Sequence, residues 1–304
     1  MPGLNEVIAE MHTPTPAGEA VGADAVREKY IKLLAEYRKR NVICYYSGWL
    51  TTNGHPVPNL LIDDNDKNGF MNAVYEMDCK KGLDLVLHTP GGMITAAESL
   101  VYYLQKKFGT NIQVIVPQMA MSAGTMIACS ASQIIMGHQS CIGPFDPQLA
   151  STSAFSVFDE FKRAAEQIKT EPHTIPLWQA LLGRYPPAFL EQCDKAIELA
   201  KSIVPNWLRA GMLSDLDEAE REQKISLIMD NLNNPIATKE HSRHIHFDKA
   251  KELGLKVSLL EDDDQLQDLV LSLHHAYIAT LMMTNTSKLI ESQTGKRFIL
   301  TYAK

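Results

Sequence analysis

The sequence predicts an α/β protein built on a mostly parallel sheet, and three observations carry that expectation. Short apolar runs of buried-strand type, in "LDLVLHTPGG" (83–92), "IQVIVP" (112–117) and "QIIMG" (133–137), recur through the middle of the chain. Helical patterns, "MITAAESLVYYLQKKF" (93–108) and "SAGTMIACSA" (122–131), separate them, which demands parallel pairing through right-handed crossovers. Residues 108–145 contain no Lys, Arg, Asp or Glu, yet Gln113, Pro117, Gln118, Gly124, Ser130, Ser132 and Gln133 break up the run. It therefore reads as strand, helix and strand inside a soluble core, not as a membrane span.

The remaining elements follow in order. Residues 1–23 lack the basic start and apolar centre of a signal peptide and read as a flexible tail. A domain spanning 24–262 begins with the helical pattern "DAVREKYIKLLAEYRKR" (24–40), which feeds the β-branched and aromatic run "NVICYYSGWL" (41–50). Turn residues in "TTNGHPVPN" (51–59) end that strand, and "IDDNDKNGFMNAVYEM" (62–77) opens with acidic and Asn residues suited to a helix N-terminus. After Asp146 the pattern becomes helical: 153–169 and 186–213 predict two helices of an arm (153–213) suited to subunit contacts. "FDKAKELGLKV" (247–257) predicts a short helix that stops at Gly254 and runs into a strand. Residues 263–292 predict a terminal helix, within a C-terminal helical extension over 263–304.

Composition excludes several function classes. With 304 residues, 45% hydrophobic and 21% charged, the chain is an ordinary globular protein. A formal net charge of -7 without a basic patch argues against a general nucleic-acid binder; "YRKR" (37–40) reads as the end of a solvated helix. Five scattered cysteines, odd in number and without metal-ligand spacing, predict free thiols in a reducing compartment, hence a cytoplasmic protein.

The chemistry gathers at two loops. Pro90-Gly91-Gly92 ends one expected strand and Ser122 the next, each immediately before a helix, so in a parallel sheet the two lie side by side. Glycines there let the backbone turn sharply and present N–H groups, and the helix after Ser122 adds its positive end. Donors converging beside a hydroxyl are what acyl transfer requires: a nucleophile next to an oxyanion hole. Close helix packing through small residues is the rival explanation for the same pattern.

Taken together, "HTPGGMITAAESLVYYL", then "MSAGT", "IGPFDPQ" and, much later, "FDKAKELGL" resemble the ClpP/crotonase fold over roughly residues 40–260. The branch they resemble is that of the signal-peptide-peptidase-A-like and SDH (serine dehydrogenase) proteinases. "RYPPAFLEQCDKAIELAKSIV" and a histidine before "AKELGL" point to the SDH proteinases in particular. The resemblance implies a ClpP/crotonase-like repeated ββα superhelix with a mostly parallel sheet and added helical arms. It implies Ser122 as nucleophile and the N–H groups of Gly92 and Ala123 as the oxyanion hole. The Clp order of base and acid is departed from. Asp146 stands where the Clp histidine would fall, and "EHSRHIHFD" (240–248) where the aspartate would. Exchanging the two gives a Ser122, Asp146, His241 triad, which chemistry tolerates because a triad is defined by geometry and role. Such an enzyme needs no cofactor, takes a peptide or protein substrate and is expected to be a homo-oligomer. Without a membrane span, it would meet membrane-associated substrates only through a partner.

Alternatives stand beside each assignment. Asp146 in "GPFDP" also suits a self-capped turn. His244 and His246 are reserve bases, and with His241 they form a conceivable zinc cluster that no nearby Cys supports. Lys162, with Lys169, is the candidate base of a Ser/Lys dyad, provided it is desolvated enough to lose its proton. A crotonase-like acyl-CoA enzyme would use the same paired donors without a serine, and no basic clamp for the adenine phosphates is apparent. An inactive scaffold is compatible with the same fold. His88, close to the expected oxyanion loop, is a candidate to support that loop or touch substrate, with a structural role as the rival reading, and His138, upstream of Asp146, is a weaker base candidate.

Overall fold

The structure, a computed structural model, describes residues 3–52, 54–149, 152–234 and 240–303. The expected strands form as β1 (Asn41–Ser47), β2 (Leu83–His88), β3 (Ile112–Val116), β5 (Gln133–Met136) and β9 (Val257–Leu259), with a short β4 (Met119–Ala120) after β3. Apart from β4, these strands pair in parallel in the order β1-β2-β3-β5-β9. Every residue of β1 and β2 is buried, as a sheet covered on both faces requires. Alternate side chains divide between two cores. Ile43 and Tyr45 face α3 (Asp66–Val74), α4 (Ile94–Phe108) and α5 (Ala123–Cys129), while Val42, Cys44 and Tyr46 face α2 (Ala23–Arg38) and a long C-terminal helix, α11 (Asp264–Met283).

Beyond β5 the chain makes β6 (Cys141–Ile142), the hairpin β7 (Gln148–Leu149) and β8 (Thr152–Ser153), and then the helical arm. The arm is α6 (Ala154–Thr170), α7 (Ile175–Leu182) and α8 (Phe189–Ala210). It has a small core of its own, Ala154, Val157, Phe189, Cys193 and Ile197. Ile203, Val204 and Leu208, further along α8, enter the main core and join arm to body. Next come α9 (Glu218–Leu232) and α10 (Phe247–Glu252). Neither α7 nor α9 is among the elements expected from sequence. The buried Ile225, Ile228 and Leu232 of α9 are spaced for a helix face, but a charged start masks the pattern.

Two expectations about the ends require correction. Residues 4–12, placed in a flexible tail, form α1 (Leu4–His12), whose Val7 and Met11 are fully or almost fully buried against the α2 and α11 side of the sheet. Leu4, Val7, Ile8 and Met11 have helical spacing, so a single apolar stripe docks a short helix that would not hold in isolation. The C-terminal region is not helical throughout. α11 stops at Met283, and the chain returns as β10 (Thr286–Ser292), antiparallel to β1, followed by β11 (Arg297–Thr301). All seven residues of β10 are buried, and Lys288 Nζ is neutralised by Asp66 Oδ1 at 2.6 Å, so an open sheet edge claims a segment that helical spacing would have extended. Among the described residues no helix is long and apolar enough to cross a membrane.

Candidate active site

The loop after β2 is clamped from both sides. The Ile62 N–H donates to Gly91 O (2.8 Å) and the Met93 N–H to Ile62 O (2.9 Å). On the other side, Thr89 exchanges two backbone bonds of 3.0 Å with Met119 and Met121, tying the loop to β4 and to the turn that carries Ser122. Glycine is required twice. A Cβ on Gly91, whose φ is +104°, would lie 2.6 Å from both Met121 O and Ser122 Cβ, and one on Gly92 would lie 2.3 Å from the Ile62 backbone.

Ser122 has φ 52° and ψ -119°, a left-handed conformation that a residue with a side chain adopts only when its surroundings enforce it. They do so through Gly124 N–H to Met121 O (2.8 Å), Met126 N–H to Ser122 O (3.1 Å) and Thr125 Oγ1 to Ala120 O (2.8 Å). Such a strained turn between strand and helix exposes a hydroxyl as a nucleophile elbow does. The N–H groups of Gly92 and Ala123 donate to no backbone carbonyl among the described residues, which leaves both available to an oxyanion.

Asp146 follows β6 and is 2% exposed. Its preceding residue is fixed to α9 by a bond from Phe145 N–H to Leu232 O (2.8 Å). Asp146 Oδ1 accepts from His241 Nδ1 at 2.7 Å, and Oδ2 accepts from Gln148 Nε2 at 2.8 Å. His241 arrives because Ile142 and Ile245 exchange two backbone bonds, of 3.0 and 2.8 Å, which lay the segment from 240 onward beside β6. With Nδ1–H committed to the carboxylate, Nε2 is the basic nitrogen. Ser122, Gly92, Asp146 and His241 line one cleft of about 820 Å³, whose walls include Trp49, Leu61, Met93, Leu149 and Leu199. Among the described residues no hydrogen bond joins the His241 ring to Ser122 Oγ; catalytic bonds of this kind commonly tighten only around substrate.

The other candidates lie elsewhere. Lys162 and Lys169 are exposed on α6, and no lysine among the described residues lines the cleft. His244 is exposed, while His246 Nδ1 bonds Ser140 O (3.0 Å) at the start of α10. No metal-binding group of three or more His, Cys, Asp or Glu occurs among the described residues. His88 is fully buried beside Tyr46 and His274, on the α11 side of the sheet, and burial pushes its imidazole down to about 4. His138 is exposed and pairs with Glu261. Sequence reasoning placed Gly91 in the turn but not its close approach to Ser122, and it missed Gln148, for which no local signal exists.

A profile of the family described as ClpP-like SDH-type serine proteinase matches residues 15–290. An uncharacterised protein of Methanocaldococcus jannaschii is 31% identical over 205 residues, covering 67% of this chain and 63% of the relative. A second from the same organism is 33% identical over 123 residues, 40% of this chain and 41% of the relative. The chain thus spans less than two thirds of the length of either relative. Among solved structures, a mutant of the 1510-N membrane-bound stomatin-specific protease aligns with a TM-score of 0.38 at 18% identity, over 69% of this chain and 79% of that one. With a profile matched along most of its length, this chain belongs to the ClpP-like SDH-type serine proteinase family.

Proposed function

We propose that the protein is a serine endopeptidase that cleaves peptide bonds through an acyl-enzyme on Ser122, with His241 as general base and Asp146 as the carboxylate that orients it. The observation that carries this reading is the 2.7 Å bond between Asp146 Oδ1 and His241 Nδ1 in the cleft that Ser122 also lines. In the first half-reaction Ser122 Oγ attacks the scissile carbonyl while its proton passes to His241 Nε2. The oxyanion takes hydrogen bonds from the Gly92 and Ala123 N–H groups. As the C–N bond breaks, the imidazolium returns the proton to the leaving amine. A water, deprotonated by the same nitrogen, then attacks the acyl carbon and releases Ser122. Asp146 stays ionised throughout and holds the ring in one tautomer.

Several features support this choice over its rivals. The exposure of Lys162 and Lys169 is the opposite of what a neutral lysine base needs. Among the described residues, the charged or titratable groups lining the cleft are Asp146, Glu240 and His241, with no lysine or arginine to meet the phosphates of coenzyme A. Apolar walls suit an extended peptide with apolar side chains. We place the domain within the ClpP/crotonase-like superhelix, on the support of a parallel sheet that carries the Gly92 and Ser122 loops on neighbouring strand ends. Action in the cytoplasm, supported by five free thiols, and assembly as a homo-oligomer complete the proposal; light scattering on the purified chain tests the assembly.

The deciding experiment is fluorophosphonate labelling with mass-spectrometric location of the adduct in wild type, Ser122→Ala, His241→Ala and Lys162→Ala. The expected result is labelling at Ser122 that His241→Ala abolishes and Lys162→Ala leaves intact. The converse dependence would move the base to lysine, and absence of labelling in a folded wild type would refute the peptidase reading.

A further inference from the structure

The buried Asp146 has two oxygens, and only one of them is used by His241. The other, Oδ2, accepts from Gln148 Nε2 at 2.8 Å. A carboxylate can only accept, so the amide nitrogen of Gln148 is the end that faces it. We propose that Gln148 is a positioning residue of the catalytic site: its amide N–H locks the Asp146 carboxylate so that Oδ1, and through it the His241 ring, is held toward Ser122. The inference rests on the triad reading above.

Torsion about the terminal bond of an aspartate is soft and roughly two-fold. A carboxylate bonded through one oxygen alone can turn, and the histidine it holds turns with it. A donor on the second oxygen removes that freedom, as outer partners of metal-ligating histidines do. Gln148 is itself held. It pairs with Ser153 in the β7–β8 hairpin, and the Ala154 N–H, at the start of α6, donates to Pro147 O at 2.9 Å. Pro147 stands between Asp146 and Gln148, so the root of the helical arm braces both the acid and its anchor. Nothing in the local sequence marks this glutamine; the role follows from two residues of one turn having side chains that meet over the second carboxylate oxygen.

The test measures the second-order rate of fluorophosphonate labelling, which reads triad competence without a chosen peptide, for the full chain and for Gln148→Ala and Gln148→Glu across pH 5–8. Gln148→Ala is expected to label at least about tenfold more slowly at pH 7, by analogy with the outer partners of metal-ligating histidines, whose removal costs about 10- to 100-fold. Gln148→Glu keeps the size and shape but offers no donor when ionised, so it is expected to be at least as slow. Its rate relative to wild type should rise as the pH falls, because one of two adjoining carboxylates takes up a proton and restores an O–H donor. Among the described residues, the titratable groups facing the pair are Asp146, His241 and, along the cleft, Glu240. All three are present in wild type as well, so the ratio reads the effect of the added carboxyl. Should Gln148→Ala fail to fold, Gln148→Met keeps the length without a donor. A Gln148→Glu protein that labels within twofold of wild type, or whose ratio stays flat with pH, overturns the inference. If Ser122→Ala and His241→Ala abolish labelling while the Gln148 variants label normally, only the positioning role falls. If His241→Ala leaves labelling intact, the triad reading has failed first.

Discussion

Replacing Gly91 with alanine tests whether Ser122 is aligned by the loop that faces it. The added Cβ would stand 2.6 Å from Ser122 Cβ and from Met121 O, whereas ordinary contact begins near 3.4 Å, so loop and elbow must separate by about 0.8 Å. Neither side yields freely. Gly91 O is bonded to Ile62, Thr89 is bonded to Met119 and Met121, and the Gly91 φ of +104° is itself unfavourable for alanine. Left-handed backbone costs roughly 1–2 kcal/mol for a residue with a side chain, and overpacking about 1–3 kcal/mol more. Loss of about 2–5 kcal/mol of stability is therefore expected, read by urea unfolding. Displacement of a reacting atom by close to 1 Å costs on the order of 100-fold in rate, so fluorophosphonate labelling of the folded fraction should slow by that order. A Gly91→Ala protein that keeps wild-type stability and labelling rate would refute the idea that this contact sets the elbow.

Two further perturbations bear on the fold. Burial disfavours the charged imidazole of His88 and pushes it down to about 4 from an ordinary 6.5. The unfolded state therefore binds more protons between those values, and stability should fall as pH drops through that window, by about 2 kcal/mol at pH 5. Urea melts at pH 7 and 5 should show at least that loss in wild type, because burial lowers the neighbouring His274 in the same direction, and a smaller one in His88→Phe; equal losses in the two proteins would refute the assignment. Met11, 3% exposed in α1, should cost at least about 2 kcal/mol when changed to alanine, and an unchanged melting temperature would return residues 4–12 to the status of a loose tail.

Much of the scaffold was readable because its signals are local. Buried parallel strands are continuous apolar runs, glycines mark the loop that meets Ser122, and small residues follow the elbow, so the parallel strands and the adjacency of the two loops could be read from neighbouring residues. The ends of the chain were not readable in that way. The apolar stripe of α1 is too short to predict a stable helix until α2 and α11 give it a surface. β10 becomes a strand because β1 has an unfilled edge and Asp66 waits for Lys288.

The candidate site divides along the same line. Sequence by itself determined that Gly92 and Ser122 sit on adjacent strand ends, because each needs only its local turn chemistry, and the resemblance to the SDH proteinases added the expectation of Ser122 as nucleophile with Gly92 and Ala123 as oxyanion donors. It left His241, His244 and Lys162 all eligible as base. Tertiary structure alone decided among their positions: a two-bond bridge between Ile142 and Ile245 brings His241 to Asp146 across 95 residues of sequence, α6 carries Lys162 out to solvent, and Gln148 comes to rest on the second oxygen of the acid. Contacts of that kind depend on which surfaces meet once the sheet has closed, and no periodicity or spacing in the chain encodes them.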